Sequence, residues 1–259
     1  MSFVFRLLGV LAFLASAEAW GAPYECDAPA PSREMMPSFA GKEESYIGRE
    51  QAVGFYSDGS LQFPDAFPDA GRGFFKLFLP RNRAWGTTDL RRMVEGVAAR
   101  MVLEFPSRDA LQIGDVADER GGSISGHASH QNGLDVDLAY FRKDQTMQDP
   151  AFTGGFAVSF VQNGAVVENF DRERNWALVK LLAATGRVSR FFVNPLIKEE
   201  FCRHARAAGE YRDDSLPLRL LRPWNGHDGH VHVRLQCPEG ALLCRNQEPV
   251  PEGAGCATI

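Results

Sequence analysis

Residues 134–138 read Leu-Asp-Val-Asp-Leu, and alternation this strict dictates a β-strand. It sends Leu134, Val136 and Leu138 toward a core and puts Asp135 and Asp137 together on the opposite face. A second segment repeats the pattern near the C-terminus, where Val231, Val233 and Leu235 alternate with His230, His232 and Arg234. His130 stands seven positions ahead of Asp137, with His127 just before it, and His227 precedes the second strand. Five of the six histidines therefore fall in these two segments. If the two strands are neighbours with their polar faces aligned, His130, Asp137 and His232 converge. Three nitrogen and oxygen ligands with an open fourth position make a catalytic zinc site.

The other polar residues take roles around that site. Water at the open position of a zinc ion has its pKa lowered to about 7 and becomes a nucleophile at neutral pH. His230 shares the strand face of His232 and is the candidate general base or acid, because imidazole titrates near neutrality. His227, in the loop before the strand, is a second candidate for that role or a substrate contact. Asp135 is expected to orient a ligand histidine. His127 either binds a second metal or caps its loop, and the loop role is favoured. His204 reads as a surface residue.

The first nineteen residues read as a signal peptide ending between 17 and 22: Arg6, an apolar run from Leu7 to Ala15, then small-residue cleavage sites. That run is too short to span a bilayer, so the mature chain is expected to be secreted, in a bacterium to the periplasm. A formal net charge of −5 gives no reason to propose nucleic acid as a partner. In an oxidising compartment Cys26, Cys202, Cys237, Cys244 and Cys256 are disulfide candidates. Cys237 and Cys244 bracket a turn, and Cys202 could then pair with Cys256, which leaves Cys26 alone.

Residues 23–50 read as an extended lead-in rich in Pro, Ser and charge, and 51–259 as one α+β domain with an irregular, disulfide-tied tail. A hairpin is expected over 53–63 with its turn at Ser57-Asp58-Gly59-Ser60, and strands at 74–79 and 111–116. A helix begins at Thr88 with Leu90, Met93, Val94, Val97, Ala98 and Met101 as its buried stripe. The glycine-rich link 121–126 lacks the following helix of a phosphate cradle. A second hairpin turns on Asn163-Gly164. A helix capped by Asp171 runs to Gly186, a strand follows at 188–193, and Pro195 opens a helix that carries Cys202. Residues 216–224 read as a connection to the histidine strand.

Three motifs carry a family resemblance. Gly-His-Ala-Ser-His-Gln-Asn-Gly-Leu-Asp-Val-Asp (126–137), Arg-Pro-Trp (222–224) with His-x-x-His-x-His-Val-Arg-Leu-x-Cys-Pro (227–238), and Phe-Val-Asn-Pro-x-Ile-Lys (192–198) resemble the penicillin-insensitive murein endopeptidases. The wider group includes lysostaphin-type peptidases, D-Ala-D-Ala carboxypeptidases and the hedgehog domain. The resemblance implies a central, mainly antiparallel sheet flanked by helices. It implies a periplasmic zinc peptidase acting on the D-alanyl–meso-diaminopimelyl cross-link of peptidoglycan. By the same resemblance His130, Asp137 and His232 bind zinc, His230 and His227 are further active-site histidines, and the disulfides are Cys202–Cys256 and Cys237–Cys244. Two departures stand out. One member of that family has a cysteine where Ser60 stands here and places further ligands to a second zinc near Gln162 and Ala165, so one zinc per chain is expected. Two other readings share the motifs: a D,D- or L,D-carboxypeptidase, and a zinc-stabilised wall-binding module without turnover.

Overall fold

The computed structural model describes residues 51–256. The expected signal peptide, lead-in and Cys26 lie outside the described residues. The chain enters as a hairpin, β1 (Ala52–Phe55) and β2 (Asp58–Leu61), with Phe55 paired to Asp58. Its turn is Tyr56-Ser57, earlier than the Ser57–Ser60 turn the composition suggests. Gly59 serves the strand instead: a Cβ there would lie 2.6 Å from Val53 O and 3.0 Å from Asn132 Cβ, so only glycine lets these backbones close up.

β3 (Asp65–Ala66), β4 (Ala70–Gly71) and β5 (Phe74–Lys76) follow. The apolar run from Phe74 is a strand only to Lys76, because Phe78 adopts a φ of 58° and leads into a single 3₁₀ turn, Leu79–Arg81. β6 (Trp85–Gly86) pairs with β3. α1 (Thr88–Glu104) is capped by Thr87, whose hydroxyl accepts from Leu90 N, and it buries the six apolar residues of the expected stripe. β7 (Leu111–Ile113) and β8 (Asp135–Ala139) come next. β9 (Val161–Gln162) and β10 (Ala165–Val166) flank Asn163-Gly164, whose φ values of 51° and 74° are those of a type I′ turn. α2 (Arg172–Ala184) is capped by Asp171 as expected, β11 spans Val188–Val193, and α3 spans Pro195–Ala207. The stretch read as a connection holds two elements, α4 (Leu216–Leu220) and β12 (Leu221–Pro223). β13 (His230–Leu235) ends the regular structure.

Seven strands make one mixed sheet in the order β12-β11-β13-β8-β7-β5-β4. The β11–β12 and β5–β7 pairs are parallel, and the other neighbours are antiparallel. β8 and β13, remote in sequence, are adjacent and in register: His232 faces Asp137, and Arg234 faces Asp135. On one face Val136, Leu138, Val231 and Val233 join the stripe of α1, Leu178 and Leu182 of α2 and Phe201 of α3 in one buried cluster. The opposite face departs from the expected half-buried strand. All five β8 residues are buried, the aspartates included, because charged and imidazole side chains cover them. Among the described residues no helix is long and apolar enough to cross a membrane.

Two disulfides tie the tail down, Cys202–Cys256 and Cys237–Cys244. The second loop docks on the first hairpin, with Gly54 N donating to Leu243 O at 2.8 Å and Arg245 N to Gly54 O at 2.9 Å. Buried Lys198 donates from Nζ to Leu218 O and, at 2.6 Å, to Ala254 O. Burial, with the nearby Arg222 charge, pushes its pKa down from 10.5 to about 7. The unfolded chain therefore binds this proton between pH 7 and 10.5 while the folded one releases it, so stability rises with pH across that window. A Lys198→Met variant should show a flatter rise in denaturant midpoint over the same window. Cys202→Ala with Cys256→Ala, which opens a loop with a sequence separation of 54, should cost about 4 kcal/mol in denaturant unfolding.

Candidate metal centre

The segment between β7 and β8 carries His130 with a φ of 67°, a left-handed conformation uncommon for a non-glycine residue. Its own backbone N–H donates to Asp135 Oδ2 at 2.9 Å, which anchors that turn to the strand it precedes. Gly133 makes the return possible. Its φ is 73°, and a Cβ there would lie 2.7 Å from Leu61 Cδ1.

Three atoms then meet. His130 Nε2 lies 3.2 Å from His232 Nδ1 and 3.4 Å from Asp137 Oδ1, and His232 Nδ1 lies 3.3 Å from the same oxygen. A tetrahedral ion with ligand bonds of about 2.0–2.1 Å demands edges of about 3.3–3.4 Å, so the triangle has the size of a zinc face. The second ring nitrogens fix the tautomers. His130 Nδ1 bonds Val116 O at 2.6 Å, and His232 Nε2 bonds Asp135 Oδ1 at 3.1 Å. With those nitrogens donating, the lone pairs of His130 Nε2 and His232 Nδ1 are left for the centre. Asp137 Oδ1 is buried and accepts no hydrogen bond, a costly orphan unless a cation takes it.

Burial alone would raise the Asp137 carboxyl, but the facing His130 and His230 imidazoles outweigh it and hold it well below the usual carboxylate range. Burial opposes charge on His232 as well, yet Asp135 and Asp137 raise it above the ordinary imidazole value. His130, Asp137 and His232 are thus brought together as the alternation requires, at the β8–β13 pair.

His230 sits one alternation step away, its Nε2 3.5 Å from Asp137 Oδ1 and its ring stacked on Phe156 at 4.4 Å. Burial pushes its pKa down to about 4, so it is neutral at neutral pH. His227 is half-buried, 5.0 Å from His230 ring to ring, and its Nδ1 faces Trp224 O and Asn225 O, each at 3.2 Å. Burial and the His232 charge lower its pKa. Asp135 orients His232, and is itself gripped by Arg234 from Nε at 2.7 Å and Nη2 at 3.2 Å.

His127 does more than cap its loop. Its Nε2 lies 3.0 Å from Asp115 Oδ2 and its Nδ1 3.9 Å from Asp137 Oδ2. His127, His130 and Asp137 also offer ligand atoms within 4.8 Å of one another. That set is looser than the triangle with His232, and Asp115 holds the outer nitrogen of His127 as Asp135 holds that of His232. His204 is half-buried in the last turn of α3, remote from the cluster in the fold. Asp115 and Arg81 escaped the sequence reading. The only sequence signal for either was a carboxylate just beyond a short strand and an arginine just beyond a proline.

A cleft of about 260 Å³ opens beside the triangle, lined by Arg81, Asp115, His127, Asp137, Phe156 and His230 among others. Two imidazoles and a carboxylate, of which Asp137 also lines this cleft, are a donor set suited to a metal-dependent hydrolase. Comparison with known proteins narrows this class. The sequence profile of the family described as penicillin-insensitive murein endopeptidase matches residues 52–259. The chain is 34% identical over 212 residues to the penicillin-insensitive murein endopeptidase of Haemophilus influenzae, covering 81% of this chain and 71% of that one. It is 32% identical to proteins of the same name from Klebsiella pneumoniae (strain 342) and Escherichia coli (strain K12), covering 81% of this chain and 74% of each. The chain belongs to the penicillin-insensitive murein endopeptidase family, and is a peptidase.

Asp135→Asn should leave the Arg234 guanidinium buried without its counter-charge. The expected loss is about 3–5 kcal/mol in denaturant unfolding, as for other broken buried pairs.

Proposed function

We propose that this protein is a zinc-dependent murein endopeptidase that hydrolyses the D-alanyl–meso-diaminopimelyl cross-link of peptidoglycan. The observation that carries this reading is the triangle of His130 Nε2, Asp137 Oδ1 and His232 Nδ1, with edges of 3.2–3.4 Å around an otherwise orphaned carboxylate oxygen. Those three residues would hold one zinc ion per chain. Such an ion would supply Lewis-acid polarisation of the scissile carbonyl and a lowered pKa for the attacking water.

The remaining steps belong to side chains. His230, neutral and with Nε2 turned toward the triangle, takes a proton from the attacking water. It returns that proton to the amine nitrogen as the amide C–N bond breaks. Phe156, stacked on the ring, keeps it from rotating away and excludes water from its face. His227 at the mouth of the site steadies the developing oxyanion or contacts substrate. Asp135 holds the His232 ring in the ligating tautomer. No serine acts as nucleophile, so a β-lactam has nothing to acylate, in keeping with the word penicillin-insensitive in the relatives' names.

In the same reading residues 51–259 are the peptidase domain, of the hedgehog and D-Ala-D-Ala peptidase type. The first nineteen residues direct the chain to the periplasm.

Purified protein should cleave defined cross-linked muropeptide dimers into monomers, seen by mass analysis. A chelator should abolish cleavage and zinc restore it, while a β-lactam leaves it unchanged. Dimers that persist with one equivalent of zinc bound would end this reading, and release of only a terminal D-Ala would replace it with a carboxypeptidase. His230→Ala should keep its zinc but lose about 10²–10⁴ in kcat, whereas His232→Ala should lose zinc as well.

A further inference from the structure

We infer that Arg81 is the receptor for a carboxylate of the substrate, the one on the carbon that bears the scissile nitrogen. The inference rests on the endopeptidase reading and adds a specificity-determining residue to it.

It starts from charge balance around Asp115. Asp115 has a side-chain exposure of 1%, and its Oδ2 meets Arg81 Nη1 at 2.6 Å, Arg83 Nη1 at 3.2 Å and His127 Nε2 at 3.0 Å. One carboxylate thus faces two permanently charged guanidiniums, which leaves a surplus of positive charge. Of the two other carboxylates that line the cleft, Asp137 is committed to the metal triangle and Asp228 accepts from Ser159 Oγ, so neither pairs with these guanidiniums. The surplus is not shared evenly. Arg83 turns toward Ser125, bonding its O at 3.0 Å and its Oγ at 2.6 Å, and is not among the residues that line the cleft. Arg81 bonds Asp115 from Nη1 and Thr153 O from Nη2, and its guanidinium lies 4.1 Å over the Phe78 ring. No described group takes its Nε–H, its side chain keeps 22% exposure, and it lines the cleft that His230 and Asp137 also line. An arginine held by a carboxylate, a carbonyl and a ring has little rotamer freedom left to lose, and its planar fork suits a second carboxylate.

The substrate supplies one. In the cross-link the scissile nitrogen belongs to the second stereocentre of a diamino acid, and that centre also carries a carboxylate. Once the carbonyl is seated at the triangle, this is the first charged group on the leaving side. Its single negative charge answers the surplus at Arg81. Phe78, Phe156 and Val158 give the cleft an apolar wall for the methyl and methylene groups between. A carboxylate further along the donor stem has the same chemistry, so the test must separate the two.

Three cross-linked dimers serve: all carboxylates free, amidated at the acceptor centre only, and amidated on the donor stem only. The wild-type zinc enzyme should cleave the first and third alike. It should lose roughly tenfold to a hundredfold in kcat/KM on the second, the range for a hydrogen-bonded charge. Arg81→Gln should slow the free acid toward the rate of the acceptor amide and leave that amide little changed, and Arg81→Lys should recover part of the preference. Equal wild-type rates on the first two dimers, a preference confined to the donor arm, or an Arg81→Gln variant slowed alike on both would each overturn the inference while the endopeptidase reading stood. Wild type that cleaves none of the three would remove both. If Arg81→Gln does not fold, Arg81→Lys carries the same comparison, since it keeps the charge and loses the fork.

Discussion

The antiparallel register of β8 on β13 is the constraint on which everything else in this protein depends. It sets His232 opposite Asp137 and Arg234 opposite Asp135, on the face away from the helices. A slip of one residue would turn every one of these side chains into the apolar core and bring the valines out. The apolar face makes that slip prohibitive, because Val136, Leu138, Val231 and Val233 are fully buried among the helices. The chemistry of one face is therefore held in place by the hydrophobic effect acting on the other.

Burying Asp135, Asp137, His130, His232 and Arg234 together is expensive unless every polar atom finds a partner. The fold meets that requirement outward, layer by layer. Val116 O and Asp135 take the outer nitrogens of the two histidines, and Arg234 takes Asp135. Arg234 in turn lies 3.5 Å over the Tyr56 ring in the first hairpin's turn, and its Nη1 donates to Gln247 in the tail at 2.7 Å. Hairpin and tail, which look peripheral, are the last ring of supports for the His232 ring. That gives a physical reason for the two disulfides and the buried Lys198, which keep the tail where Arg234 needs it. Asp137 Oδ1 is the one member of this set left without a bond, and it is the one at the centre.

Much of this was legible in the chain. The α1 stripe, the Asp171 cap, the Asn163-Gly164 turn and the Pro195 helix start rest on local rules, and each stands where those rules put it. The misreadings have a common origin in contacts the local rules do not contain. Gly59 looked like a turn residue but lies in a strand, because a second backbone passes too close for a side chain. β12 looked like a connection because three residues, the last a proline, carry no periodicity, and it became a strand only by lying parallel to β11. Asp135 and Asp137 looked half-exposed because alternation reports which side a residue takes, not what covers that side.

The sequence by itself determined which residues share a face, since period-two alternation is a property of the backbone and needs no partner. With His130 seven positions ahead of Asp137, that alternation named His130, Asp137 and His232 as a possible set, while the turn between Cys237 and Cys244 and the family resemblance offered the disulfide partners. Only the tertiary structure decided that the two strands are neighbours and in which register, that the rings present the correct nitrogens, and that Arg81, Asp115 and His127 converge on the same cleft. Those outcomes follow from packing and hydrogen-bond satisfaction among segments far apart in the chain, and no local pattern encodes them.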